Sequence, residues 1–161
     1  MTSIQIIDNF LDPTYFDFLQ AKMTNLSFPW YYVDYVADKY DTQYSYFFHT
    51  VYENYAINSS LYQDLAMIIE KLNPKALIRI RANLYMNVGA LVQSAMHKDQ
   101  PFEHEGALLY MNTTNGPTIL KDGTKIECVA NRLVKFNTFE DHAASFCTNQ
   151  KYKMVINFNY F

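Results

Sequence analysis

The chain has 161 residues, a net charge of −3, a pI near 5.7 and 50% apolar residues. Those values fit one folded domain, 1–161, with a core of its own, and they exclude a disordered chain. No apolar run approaches the roughly 18 residues of a membrane span, and no cluster of Lys and Arg offers the charge a phosphate backbone requires, so neither a membrane nor a nucleic-acid partner is expected.

The start, MTSIQIIDNF, lacks a basic segment followed by an apolar one, so no secretory signal is expected. Within it, residues 4–7 read as a short first strand. Asp12-Pro13 then opens a helix, with Asp as N-cap and Pro at the first helical position, running to about Asn25. Phe28-Pro29-Trp30 ends that unit and leads into an extended aromatic stretch, WYYVDYV. A polar turn, DKYDTQ (38–43), separates it from a second strand-like run, Tyr44 to Tyr52, which contains His49. Trp30, Tyr31 and Tyr32 either pack against the body of the domain or form part of a substrate mouth.

Ser60-Leu61-Tyr62-Gln63 has the form of a capping box. Leu61, Leu65, Ile68, Ile69 and Leu72 then recur at helical spacing until Asn73-Pro74 stops the helix. Beyond Pro74 the pattern turns to strands. In ALIRIRANLYMN, Ile78, Ile80, Ala82 and Leu84 share one face and Arg79, Arg81, Asn83 and Tyr85 the other. The two arginines read as outward or ion-paired strand residues, and Asn83 as a candidate cavity residue. ALLYMN, TILKDGTKIECV with its Asp122-Gly123 hairpin turn, LVKF, AASFC and KMVINFNYF complete the set. Arg132, beside Asn131, reads as support for a turn. The first part, 1–74, is thus a helix-and-strand support and 75–161 is nearly all β, which predicts a sandwich or barrel. Cys128 and Cys147 lack CxxC spacing and read as two buried thiols in a reducing cytoplasm.

Chemistry concentrates at His97-Lys98-Asp99 and His142. Histidine and aspartate two residues apart on extended backbone point to one side and can share a metal. Two imidazoles and one carboxylate form the facial triad of non-haem Fe(II) sites, which leaves positions open for other ligands. His142 lies between two predicted strands, LVKFN and AASFC, and Lys153 lies in the last strand. His104, in the polar loop QPFEHEG, reads as a solvated residue, and His49 as a hydrogen-bonded strand histidine. No Ser-His-Asp order and no Gly-rich phosphate loop is present.

From RIRANLY to INFNYF, including HKD, ALLYMN, NRLVKFN, His142 and KMVINFNY, the chain resembles the Fe(II)/2-oxoglutarate dioxygenases of the prolyl 4-hydroxylase-like group, particularly small viral and bacterial members. The resemblance implies a mainly β fold with flanking helices around a double-stranded β-helix, or jelly-roll (cupin-like), core. It implies Fe(II) held by His97, Asp99 and His142, with 2-oxoglutarate and O2 as cosubstrates. It places Lys153 on the C5 carboxylate of 2-oxoglutarate, with Lys151, of the same strand parity, as rival. It makes Tyr110 a contact of the same carboxylate and Tyr85 a second pocket tyrosine. The implied reaction hydroxylates a C–H bond of a peptide, prolyl or small-molecule substrate while 2-oxoglutarate becomes succinate and CO2, in the cytoplasm, or the host cytoplasm for a viral chain. Two rival readings are a non-catalytic jelly-roll binding module, which has no reason to keep all four residues, and a metal-dependent hydrolase, which has no need of Lys153 or Tyr110. Substrate and oligomeric state stay open.

Overall fold

The structure, a computed structural model, describes residues 4–37 and 39–161. Asp38, in the expected polar turn, and residues 1–3 lie outside the described residues. A first strand, β1 (Gln5–Ile7), precedes helix α1 (Pro13–Met23), and Asp12 caps α1 by accepting from the Thr14 and Tyr15 backbone N–H groups. Strands β2 (Tyr31–Val33), β3 (Tyr46–Glu53) and β4 (Ala56–Ile57) follow.

The helix expected from the Ser60 capping box is divided into α2 (Leu61–Asp64) and α3 (Ala66–Leu72) by Leu65, at φ −90° and ψ 0°. Ser60 makes no capping bond because its own backbone is already helical, which turns the hydroxyl away from the next N–H groups. Its neighbour Ser59 does the capping, with Oγ accepting from Leu61 N at 3.1 Å. Asn73, left-handed at φ 50°, ends α3 before Pro74.

The remaining strands are β5 (Leu77–Met86), β6 (Glu105–Tyr110), β7 (Thr114–Leu120), β8 (Lys125–Cys128), β9 (Arg132–Phe136), β10 (His142–Ala144) and β11 (Tyr152–Tyr160). The β7–β8 hairpin turns at Gly123, whose φ of +87° only glycine adopts without strain. All pairings are antiparallel. The large sheet runs β1-β9-β6-β11-β5-β3-β2, with β4 on β3, and the small sheet runs β10-β7-β8. This is the expected jelly-roll arrangement, and strands from both parts of the chain enter the large sheet. No helix among the described residues is long and apolar enough to cross a membrane.

Alternation on β5 and β11 separates two environments. Ile80, Ala82, Ile156 and Phe158 face Phe16, Leu19 and Met23 of α1 and Leu61, Leu65 and Ile68 of the split helix, forming the main core. The other face looks toward the small sheet across a smaller cluster of Leu108, Tyr110, Val155, Ile126 and Cys128. Asn131 ties the N-terminal segment down: its side chain donates to Leu11 O and accepts from Leu11 N. Arg132 supports the β8–β9 turn as expected, donating Nη1 to Glu127 O at 3.3 Å, and also forms a two-point pair with Asp8. Cys128 and Cys147 are both free and buried.

Candidate metal centre and cosubstrate pocket

His97 lies within the long loop between β5 and β6, and an isolated antiparallel bridge fixes it beside His142, the first residue of β10. Each donates its backbone N–H to the other's carbonyl at 2.9 Å. This bridge brings the second histidine back to His97-Lys98-Asp99. The ligand atoms of His97, Asp99 and His142 lie within 4.8 Å of one another.

In the neutral rings, His97 Nδ1–H donates to Ala95 O at 3.2 Å and His142 Nδ1–H to Glu140 O at 3.0 Å. That tautomer leaves both Nε2 lone pairs for a metal. Burial, and the neighbouring His142, push the His97 pKa below its ordinary value, which favours the ligating form. For Asp99, burial pushes the carboxyl pKa up, but His142 in its protonated form, Arg79 and the Asn157 amide outweigh it and hold the group at about 2. Two neutral imidazoles and one ionised carboxylate are a donor set that fits a divalent iron ion.

Asp99 is positioned from two strands, β5 and β11. Arg79 Nη2 donates to its Oδ1 at 3.2 Å, and Asn157 and Asn159 donate to Oδ2 at 3.0 and 2.9 Å. Asp99 N donates to Thr138 O at 3.2 Å. Thr138 in turn donates its hydroxyl to His104 Nε2 at 2.7 Å, while His104 Nδ1–H donates to Phe102 O. His104 is therefore buried in the support of Asp99, which corrects its reading as a solvated loop residue. Arg79 and Arg81 are not outward: both line the cavity, and of the two expected alternatives the ion-paired one holds. Asn157 and Asn159 carried no readable signal beyond their alternation in INFNY, because their partner is distant in sequence.

The three ligands open into a cavity of about 410 Å³ between the two sheets. Lys153 lines it and is 1% exposed. Its ammonium donates only to the Pro117 and Ser145 carbonyls, each at 3.3 Å, and has no carboxylate partner among the described residues. Burial lowers its pKa to about 8, against a smaller opposing effect of the Cys128 and Cys147 thiols. Lys151 is exposed, precedes β11 and does not line the cavity.

Tyr85 lines the cavity, stacked on Tyr46 at 5.3 Å between ring centres and edge-on to Phe146. Tyr110 stands one layer behind. Its ring centre is 5.8 Å from the Lys153 ammonium and its hydroxyl donates at 2.7 Å to Thr118 Oγ1, and it is Thr118 that reaches the cavity. Burial raises the pKa of both tyrosines, so both hydroxyls stay protonated. Thr118, a plain strand residue in sequence, was not foreseen. At the mouth, Val33, Tyr35, Val36 and Ala37 contribute rather than Trp30, Tyr31 and Tyr32. Trp30 packs on the main core with Nε1–H donating to Met23 O, and Tyr31 lines a separate groove with His49. There His49 bonds Pro29 O and Ser59 Oγ, the strand histidine expected.

No family model and no curated protein matches the chain by sequence. Solved structures do match. A prolyl hydroxylase from Trichoplax adhaerens, in complex with a peptide fragment of the hypoxia inducible factor oxygen degradation domain, superposes with a TM-score of 0.72 at 16% identity, covering 98% of this chain and 83% of that one. A Pseudomonas putida prolyl-4-hydroxylase gives 0.68 at 15% identity, covering 99% and 93%. The viral collagen prolyl hydroxylase of Paramecium Bursaria Chlorella virus-1, in its 2-oxoglutarate complex, gives 0.63 at 14% identity, covering 97% and 94%. The jelly roll described above, with its helices on the outer face of the large sheet, is thus the fold of the prolyl 4-hydroxylase-like Fe(II)/2-oxoglutarate oxygenases.

Proposed function

We propose that this chain is an Fe(II)- and 2-oxoglutarate-dependent dioxygenase that hydroxylates a C–H bond, with a peptidyl or prolyl substrate as the nearest reading. One observation carries it: a buried ammonium without a carboxylate partner among the described residues, Lys153, shares a cavity with a two-histidine, one-carboxylate cluster. A buried cation of that kind is costly unless an anion completes it. A metal-dependent hydrolase has no use for it.

Iron bound with 2-oxoglutarate and O2 supplies the oxidation, coupling loss of CO2 from the cosubstrate to insertion of a hydroxyl group into the substrate. The residues do the rest. His97 and His142 present Nε2 lone pairs, their Nδ1–H groups occupied by Ala95 O and Glu140 O. Asp99 supplies the anionic ligand, held against rotation by Arg79, Asn157 and Asn159. Lys153 receives the C5 carboxylate, with Thr118, itself held by Tyr110, beside it. Lys153 is a point charge without the two-pronged fork of arginine, so Thr118 and Tyr110 would fix the direction of approach. Tyr85, with Tyr46 and Phe146, forms an aromatic wall that keeps that end dry. The Trichoplax enzyme's peptide supports a peptide as substrate, a small molecule being the other class.

The test is calorimetric titration with Mn(II), then 2-oxoglutarate, without O2. Wild-type protein should bind the metal first and the cosubstrate only afterwards. His97→Ala should lose both events, and Lys153→Ala should keep the metal and lose 2-oxoglutarate. Binding of 2-oxoglutarate that ignores both the metal and Lys153 would sink the reading in favour of a binding module.

A further inference from the structure

Two buried side-chain polar atoms among the described residues have no hydrogen-bond partner: Arg81 Nε and Asn83 Oδ1. Both residues stand on the same face of β5, and both line the cavity that holds His97, Asp99 and His142. A buried polar atom left unpaired carries a desolvation penalty, so native structures keep few. Two on adjacent positions of one cavity wall mark a surface that a ligand completes.

Arg81 decides the polarity of that ligand. An amide can present either end by turning about its last bond, so Asn83 adds a polar group without fixing what it meets. A guanidinium only donates. Arg81 is also held in place: its Cζ lies 4.8 Å from the Phe48 ring centre, and Nη2 donates to Glu53 Oε1 at 3.1 Å. Glu53 itself does not line the cavity. Arg79, two residues earlier, is committed to Asp99 and to Asn159 Oδ1. Lys153 stands toward the other end of the same wall, where β11 pairs Lys153 with Tyr85 and Asn157 with Arg81.

The charge balance points the same way. Arg79, Arg81, Lys98 and Lys153 line the cavity against one carboxylate among the described lining residues, Asp99. A divalent ion and a doubly charged cosubstrate cancel each other, and with Glu53 set against Arg81 from outside the lining an excess of positive charge still stands. We propose that the substrate of this site carries a carboxylate, which Arg81 receives while the reacting carbon lies toward the metal ligands. The proposal rests on the oxygenase reading for the chemistry of the cavity and adds the class of substrate.

The experiment uses the whole protein loaded with Mn(II) and 2-oxoglutarate under argon, so that nothing turns over. The probes are matched pairs: free L-amino acids against their amides, and short prolyl peptides containing glutamate against the same peptides with glutamine. Binding beside the metal is read from Mn(II)-induced broadening of the probe's proton resonances. The acid member of at least one pair should bind about tenfold more tightly than its neutral partner, the size expected of a charge-assisted hydrogen bond. Whether the amino acid or the peptide pair shows the difference identifies the source of the carboxylate. Arg81→Met should abolish the preference. Glu53→Gln, which releases Arg81 from its competing carboxylate, should strengthen it, an effect that misfolding cannot imitate. Equal binding of acids and neutral partners, no binding by any probe, or a preference that survives in Arg81→Met would overturn the proposal. Broadening of 2-oxoglutarate itself separates the two failures. Its loss in the wild type defeats the oxygenase reading, whereas its presence with no acid preference defeats only the assignment of Arg81.

Discussion

The two faces of the large sheet are buried to similar depth and built on opposite principles. On β11, Met154, Ile156, Phe158 and Tyr160 enter the helix-covered core, while Lys153, Val155, Asn157 and Asn159 face the cavity side. All eight are nearly inaccessible to water. The helix face needs only shape and apolar area. On the cavity face, by contrast, each polar group depends on a particular partner, and among the described residues Lys153 has no carboxylate and Arg81 Nε no acceptor. Stability should therefore reside on the first face and ligand binding on the second.

Substitutions on either side can break that division. Phe158→Ala, which empties a fully buried position against α1 and the split helix, should cost about 3–5 kcal/mol in urea unfolding, while metal affinity in the surviving folded protein stays close to wild type. His97→Ala should do the reverse. Removing a ligand outright should weaken Mn(II) binding by more than about 100-fold, beyond the usual second-sphere effect, with unfolding free energy changed by less than about 1 kcal/mol. Comparable stability losses from both would mean that the cavity face is structural.

Much of this division was legible in the chain. Alternation in ALIRIRANLYMN and KMVINFNYF separates the two faces correctly, because a strand has period two and both strands are central. His97, Asp99, His142 and Lys153 were readable as residue types on predicted strands and loops, and they do share one cavity. What stayed open or failed was what depends on distant partners. For Arg79 the sequence left two alternatives, outward or ion-paired, and the ion-paired one holds because Asp99, twenty residues on, comes to lie against it. His104 is buried because Thr138 donates to it, and nothing in QPFEHEG signals that contact. The helix after Ser60 breaks at Leu65 although its apolar spacing is unbroken, and Ser59 caps it because Ser60 is itself helical while His49 holds the Ser59 hydroxyl in place.

A milder substitution sharpens the comparison within the cavity face. Asn159 does not itself belong to the candidate ligand set, yet its amide donates to Asp99 Oδ2 and approaches Thr138 and His104. Asn159→Ala should remove one of the two amides on Asp99 Oδ2, leaving Asn157 as the other, and so loosen the carboxylate and weaken Mn(II) affinity by about tenfold. The loss should appear in the metal titration and not in the 2-oxoglutarate step measured at saturating metal. An equal loss in both steps would place Asn159 in the cosubstrate pocket instead.

The smallest expected effect follows from the buried charge of Lys153. Its folded pKa is about 8 against an ordinary 10.5. Between those values the unfolded chain holds a proton that the folded chain has released, so unfolding free energy should rise with pH. From pH 8 to pH 9 Lys153 should contribute a gain on the order of 1 kcal/mol, opposed by the buried Cys128 and Cys147 thiols, whose raised pKa values act the other way, and in Lys153→Met the slope should fall to zero or below. Cosubstrate binding should run the other way. The ammonium that receives the C5 carboxylate is lost above pH 8, so 2-oxoglutarate should bind more weakly there and take up a proton as it binds. Calorimetry in two buffers of different ionisation enthalpy reads that proton directly. Stability and affinity moving in opposite directions over the same pH range would show that the cavity face holds an unfavourable charge in readiness for its ligand, whereas parallel movement would show that Lys153 is neutralised within the protein itself.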